Sequence, residues 1–135
     1  MNTWHAICKN KVRRFRKVAA RTNITADWLY NELKKLLTKD NYFKCPACAS
    51  LHTRDFSLDH IIPRSYSSKY YGIDNKNNLM IVCSSCNSFK NSKTAQEFIE
   101  WMIDYNKNKA DLIPFTPEAY KSIVDSRKPL KVKRT

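Results

Sequence analysis

An α+β fold follows from three features of the sequence. Apolar residues recur at helical spacing toward both ends, two short apolar runs in the middle read as strands, and two Cys-x-x-Cys pairs bracket those runs. The 135 residues suffice for one small core with helical extensions. A hydrophobic content of 42% is ordinary for a globular protein, which argues against disorder. With a single glycine in the chain, the turns fall to Asn, Asp, Ser and Pro.

The elements follow in order. Val12, Phe15, Val18 and Ala19 recur at helical spacing, with Arg13, Arg14, Arg16 and Lys17 on the other sides, predicting a partly helical basic arm over residues 1–23. Trp4 and His5 precede that pattern without joining it, and Cys8 reads as a free thiol. Thr25 is placed to cap a helix running to about Thr38, with Asp27 in its first turn. Trp28, Leu29, Leu33, Leu36 and Leu37 form its apolar face, and Asp40-Asn41 ends it. Phe56 to Ile61 alternates as a strand and Pro63 stops it; Leu79 to Val82 is a second run, able to pair with the first as an antiparallel hairpin. Between them lies a polar, Tyr- and Ser-rich loop, residues 64–78. A short helix from Ser84 sets Asn87 and Lys90 on one face.

Thr94-Ala95-Gln96-Glu97 is a capping-box pattern. It opens a helix to about Asn106, with Phe98, Ile99, Met102, Ile103 and Tyr105 turned to the core. Pro117 occupies the first position of a last helix, whose apolar side is Ala119, Tyr120, Ile123 and Val124. The basic tail from Arg127 is expected to be mobile unless nucleic acid orders it. Three segments result: a basic helical arm over 1–40, a central core over 41–93, and C-terminal helices with a basic tail over 94–135.

The net charge is +13, and its placement is more informative than its size. No acidic residue precedes Asp27, while Lys9, Lys11, Arg13, Arg14, Arg16, Lys17 and Arg21 do. After Asp125 come Arg127, Lys128, Lys131, Lys133 and Arg134, again with no acid. Like charge gathered at both ends is the footprint of a polyanion binder, whereas a merely solubilising surface would not be so lopsided. An anionic membrane is a poorer partner, since there is no lipid anchor motif or strongly apolar helix face. No apolar run approaches the ~20 residues that span a bilayer, and residues 1–10 lack the apolar core of a signal peptide. These observations predict an intracellular protein in a reducing compartment, not a secreted one, with cysteines that hold metal rather than disulfides.

Cys45-Pro46-Ala47-Cys48 and Cys83-Ser84-Ser85-Cys86 are two such knuckles, 34 residues apart. A two-residue spacer lets two thiolates grip one ion, and four thiolates close a tetrahedral Zn²⁺ with no open position, so this zinc is structural. It supplies on the order of 10 kcal/mol to modules of this size. Thioredoxin-like redox chemistry would need one pair, not two. His52 lies near the first knuckle, but nothing requires it as a ligand.

Between and just after the knuckles stand Asp59-His60-Ile61-Ile62-Pro63, Asn77-Asn78-Leu79 and Cys86-Asn87-Ser88-Phe89-Lys90. This set resembles the HNH endonucleases, the zinc-containing branch of the ββα-metal (His-Me finger) nucleases, over about Cys45 to Lys93. The resemblance implies a small zinc-clamped ββα-metal, treble-clef-like nuclease core. It casts His60 as general base, Asp59 as a metal ligand, Asn78 (with Asn77 a close second) as the residue that holds the hairpin loop and orients the histidine, and Asn87 as the other metal ligand. Asn87 stands where many members have His, making this an HNN variant. The loop after Pro63 lacks the usual pair of glycines and has only Gly72. The implied products carry 5′-phosphate and 3′-hydroxyl ends.

The chemistry is coherent in its own terms. A neutral imidazole with an ordinary pKa of ~6.5 takes a proton from water near neutral pH. A Mg²⁺ or Mn²⁺ ion on Asp59 and Asn87 meets hard oxygen ligands and would contact phosphoryl oxygens. Lys90, with Arg64, adds positive charge beside the phosphate. Ideal strand geometry would send Asp59 and His60 to opposite faces, so a shared centre requires the strand to end or kink there. The expected partner is duplex DNA, bound through phosphates by the basic termini; a homodimer would be needed to cut both strands. Two rival readings are a non-catalytic zinc DNA-binding module, which has no use for Asp59, His60 and Asn87 together, and an RNA-binding or RNA-cleaving protein, which fits the charge equally well.

Overall fold

The computed structural model describes residues 3–19, 21–108 and 115–134. Helix α1 (Thr3–Val18) presents Trp4, Cys8 and Val12 to the core at four-residue intervals. The stripe thus begins about two turns earlier than the sequence pattern suggested. Val18, expected inside, is 66% exposed, and Ala19 is buried. Helix α2 (Ala26–Lys34) is capped by Thr25, whose hydroxyl accepts from Trp28 N, and it buries Leu29 and Leu33. It stops short of the expected Thr38 because Leu37 leaves the helix to bridge Phe43.

The central segment contains two hairpins. Strands β1 (Phe43–Lys44) and β2 (Leu51–His52) flank the first knuckle. At its turn Ala49 takes a φ of 62°, a conformation in which a glycine would be at ease. Strands β3 (Ser57–His60) and β4 (Leu79–Val82) pair antiparallel, with Asp59 opposite Met80 and His60 opposite Leu79. All four residues of β4 are buried, as expected of a strand covered on both faces. The order is that read from the sequence: strand, loop, strand, then helix α3 (Ser84–Lys90).

Thr94 and Glu97 form the reciprocal capping box at the start of α4 (Ala95–Asn108). Phe98, Ile99 and Met102 are buried there, but Ile103, expected inside, is 43% exposed. Helix α5 (Pro117–Asp125) begins at its proline and buries Tyr120. A continuous apolar cluster joins Trp4 and Leu33 to Phe43, Ile81, Phe98 and Tyr120.

The tail does not hang free. Arg127 donates to Leu79 O at 3.0 Å and pairs with Glu32 at 2.6 Å. Val132 bridges Tyr70 antiparallel, with Tyr71 N donating to Lys131 O and Lys133 N to Lys69 O. These backbone bonds strap the segment over the 64–78 loop, which corrects the expectation of mobility. Among the described residues no helix is long and apolar enough to cross a membrane.

Candidate active site

The cysteines come together as the spacing predicts. The sulfurs of Cys45, Cys48, Cys83 and Cys86 all lie within 4.8 Å of one another. Cys48 Sγ and Cys83 Sγ are 3.7 Å apart. A tetrahedron of Zn–S bonds has edges of about 3.8 Å, which the Cys48–Cys83 pair matches, so the four sulfurs could close on zinc. Cys83 N and Cys86 N point at Cys45 Sγ and Cys83 Sγ, and Ser50 Oγ sits 2.9 Å from Cys48 Sγ. Sulfur-to-sulfur hydrogen bonds split the four thiols: those from Cys45 first push Cys48 down to about 6 and Cys83 lower still, while Cys45 and Cys86 are pushed well up. His52 bonds Ser50 Oγ rather than joining the sulfurs. Cys8 is apart, its thiol pushed up to about 12 by burial.

The hairpin and α3 enclose the Asp59-His60 dipeptide. The strand ends at His60, as expected, but the ladder runs regularly through both residues with no kink between them, so their side chains leave β3 on opposite faces. Asp59 faces inward and is 1% exposed. Lys90 Nζ lies 2.9 Å from its Oδ1, and Tyr120 Oη donates to its Oδ2 at 2.7 Å. The same ammonium donates to His60 O. Burial pushes the Asp59 carboxyl up, against the opposing pull of Lys90. Burial also holds the Tyr120 phenol well above its usual range, so it serves as a donor.

Both Asp59 oxygens are thus occupied. One of them is taken by the Lys90 ammonium, so a divalent ion on Asp59 and Asn87 would have to displace Lys90. Lys90 was expected beside the phosphate; it is 2% exposed instead, drawn inward because a buried carboxylate needs a paired cation. Asn87 sits one turn before it on α3, half-buried, with no side-chain hydrogen bond among the described residues.

His60 faces the other way. Its Nε2 lies 2.7 Å from Asp74 Oδ1, and its ring centroid is 6.0 Å from that of Phe15 on α1. Burial lowers its pKa below the usual imidazole value, with Asp74 opposing. Arg64 grips Asp74 through Nε at 3.0 Å and Nη2 at 3.2 Å, and also donates to Val18 O. Its fork therefore braces the loop instead of standing open for a phosphate.

Asn78 is buried and closes the loop, with no hydrogen bond to the histidine among those of its side chain. Its Oδ1 accepts from Ile62 N, and its Nδ2 donates to Ile62 O and Ile73 O. Asn77, the close second, is exposed. On α1, Lys9, Arg13, Arg14, Arg16 and Lys17 are exposed. Lys11 pairs with Asp55 at 2.7 Å, and Arg16 donates to Ile24 O.

Sequence reasoning missed Asp74 and Tyr120. Asp74 lies in a loop without periodicity, and Tyr120 looked like one more apolar position on α5; the hydroxyl leaves no trace in a hydrophobic pattern. Residues 45–93 match the family model described as HNH endonuclease. Neither the curated proteins nor the solved structures contain a match to this chain. With four converging thiols and the Asp-His hairpin lying inside the matched span, residues 45–93 form an HNH endonuclease domain, which points to a function in cleaving or binding nucleic acid.

Proposed function

We propose that the protein is an endonuclease hydrolysing phosphodiester bonds of duplex DNA, with His60 as the general base. The observation that carries this reading is the packing of α3 on the Asp59-His60 dipeptide: Lys90 binds the carboxylate of one residue and the carbonyl of the next. That arrangement fixes the imidazole at the edge of the hairpin, half-buried beside the basic helix α1. A lowered pKa keeps the ring neutral and able to accept a proton. The exposed basic residues of α1 would hold phosphates without reading sequence.

A catalytic Mg²⁺ or Mn²⁺ on Asp59 and Asn87 belongs to this proposal only as an exchange with the Lys90 ammonium. Asn87 is the oxygen donor left uncommitted for it among the described residues. Cleavage of both strands would call for a homodimer.

Supercoiled plasmid cleavage with Mg²⁺ or Mn²⁺, comparing wild type with His60→Ala at equal zinc content, tests the reading. Nicking by the wild type and none by the variant is expected. Duplex binding by both without cleavage, under either metal, would leave a zinc-stabilised binding module. Mg²⁺-dependent cleavage of single-stranded RNA in preference to duplex DNA would move the substrate to RNA.

A further inference from the structure

We propose that Asp74 is the positioning residue for His60: its carboxylate fixes the imidazole as the Nε2–H tautomer and leaves Nδ1 as the proton-accepting atom. This rests on the nuclease reading above. The geometry is direct. An ionised carboxylate only accepts, so the 2.7 Å contact from Asp74 Oδ1 to His60 Nε2 places the ring proton on Nε2. Nδ1 has no hydrogen-bond partner among the described residues, and no buried side-chain nitrogen or oxygen there lacks one. Nδ1 therefore opens toward solvent.

Asp74 is itself held from several sides. Arg64 takes both of its oxygens in a fork. Thr22, in the link between α1 and α2, donates to its carbonyl at 2.6 Å. Asn78 pins Ile73, the residue before it. Two residues earlier Gly72 turns the chain at a φ of 71°, where a Cβ would lie 2.9 Å from Asn75 Nδ2. A surface aspartate making a chance contact would not be anchored by the hairpin loop, the interhelical link and an arginine fork together.

In the step this serves, a water oxygen forms a bond to phosphorus while its proton passes to His60 Nδ1. The bond from phosphorus to the 3′ oxygen breaks, its electron pair stays on that oxygen, and a proton from solvent completes the hydroxyl. The imidazolium so formed lies against the Asp74 carboxylate, which steadies the charge without taking the proton. Asn78 then acts at one remove, by shaping the loop that carries Asp74.

The test uses the zinc-loaded full chain with ¹⁵N-labelled histidine, beside plasmid cleavage. The wild type should show His60 as the Nε2–H tautomer with a slowly exchanging imidazole proton, and Asp74→Asn should lose both signatures. Where cleavage is measured, Asp74→Asn should lower kcat by about 10²- to 10⁴-fold with KM little changed. Asp74→Glu should recover part of the loss. A wild-type ring protonated on Nδ1, an unchanged kcat in Asp74→Asn, or a raised KM with kcat intact would each overturn the assignment. So would loss of bound zinc in both Asp74→Asn and Asp74→Ala, which would make the residue structural. A wild type that never cleaves but shows the fixed tautomer would sink the nuclease reading and leave the positioning role standing.

Discussion

Asp59 and His60 are neighbours in sequence and occupy two different environments. On the inner face of β3 the carboxylate is dry, ion-paired and fully hydrogen-bonded, with Lys90 and Tyr120 filling its coordination. On the outer face the imidazole is half-buried, tied at one nitrogen and open at the other. A regular ladder imposes that separation, since adjacent side chains must part company. Two residues of one motif therefore need not act together. The inner face behaves as a structural pivot, and the outer face carries the proposed base.

Removing zinc should collapse both faces at once. Four thiolates left together without their cation cannot hold the hairpin to α3, and such sites contribute about 10–16 kcal/mol. Thermal melts followed by circular dichroism should show loss of the cooperative transition on chelation or in Cys48→Ser. A chelated protein that melts like the loaded one would mean the apolar core alone carries the fold.

The inner face should answer next. Lys90→Met strands a buried carboxylate and is expected to cost about 3–5 kcal/mol in urea denaturation, while Lys90→Met with Asp59→Leu should regain most of it. A single variant within experimental error of wild type would show that the pair is not desolvated. Tyr120→Phe, which removes one donor to the same carboxylate, should cost about 1.5–3 kcal/mol.

The outer face should cost less than the ion pair. His60→Ala should lose about 1.5–3 kcal/mol, the worth of one hydrogen bond to a carboxylate, while abolishing the proposed cleavage. Equal stability losses in His60→Ala and Lys90→Met would erase the distinction between the two faces. The smallest effect concerns Asp55, at the entrance to β3. Burial pushes its carboxyl up, but Lys11 and the Phe56 amide outweigh that and hold it below its ordinary value of 3.8. The folded protein then binds this proton less readily than the unfolded chain, so its contribution is present above pH 3.8 and lost as the pH falls through the lower folded value. Asp55→Asn should flatten the acid limb of the stability profile and change neutral-pH stability by only about 0.2–1 kcal/mol.

Much of this was legible because the signals are local. The Thr94–Glu97 box, the Thr25 cap and the two knuckles each declare themselves within four residues, and the structure realises them. What stayed hidden depends on residues brought together from afar. Backbone bonds from Lys131 and Lys133 to the 69–71 stretch have no side-chain signature, so the tail looked free. The Trp4, Cys8 and Val12 stripe is one residue wide at each turn, and Lys9 and Lys11 separate Cys8 from Val12, so its first two turns were masked. Asp74 lies 14 residues from His60 in a loop that only the folded chain closes.

The strap and helix α5 also bear on how portable the domain is. The matched span ends at Lys93, yet its polar groups are completed from beyond it. Thr116 donates to Pro46 O and Ala47 O at the first knuckle, Tyr120 to Asp59, and Arg127 to Leu79 O. A fragment trimmed to 45–93 would uncover a carboxylate and several carbonyls that the longer chain keeps satisfied. Val18 O and Thr22 do the same for Arg64 and Asp74 from the N-terminal side. The unit that recombination or protein engineering can move between chains is therefore the matched segment together with the helices on both sides of it, and a graft should keep the strap at its C-terminal end.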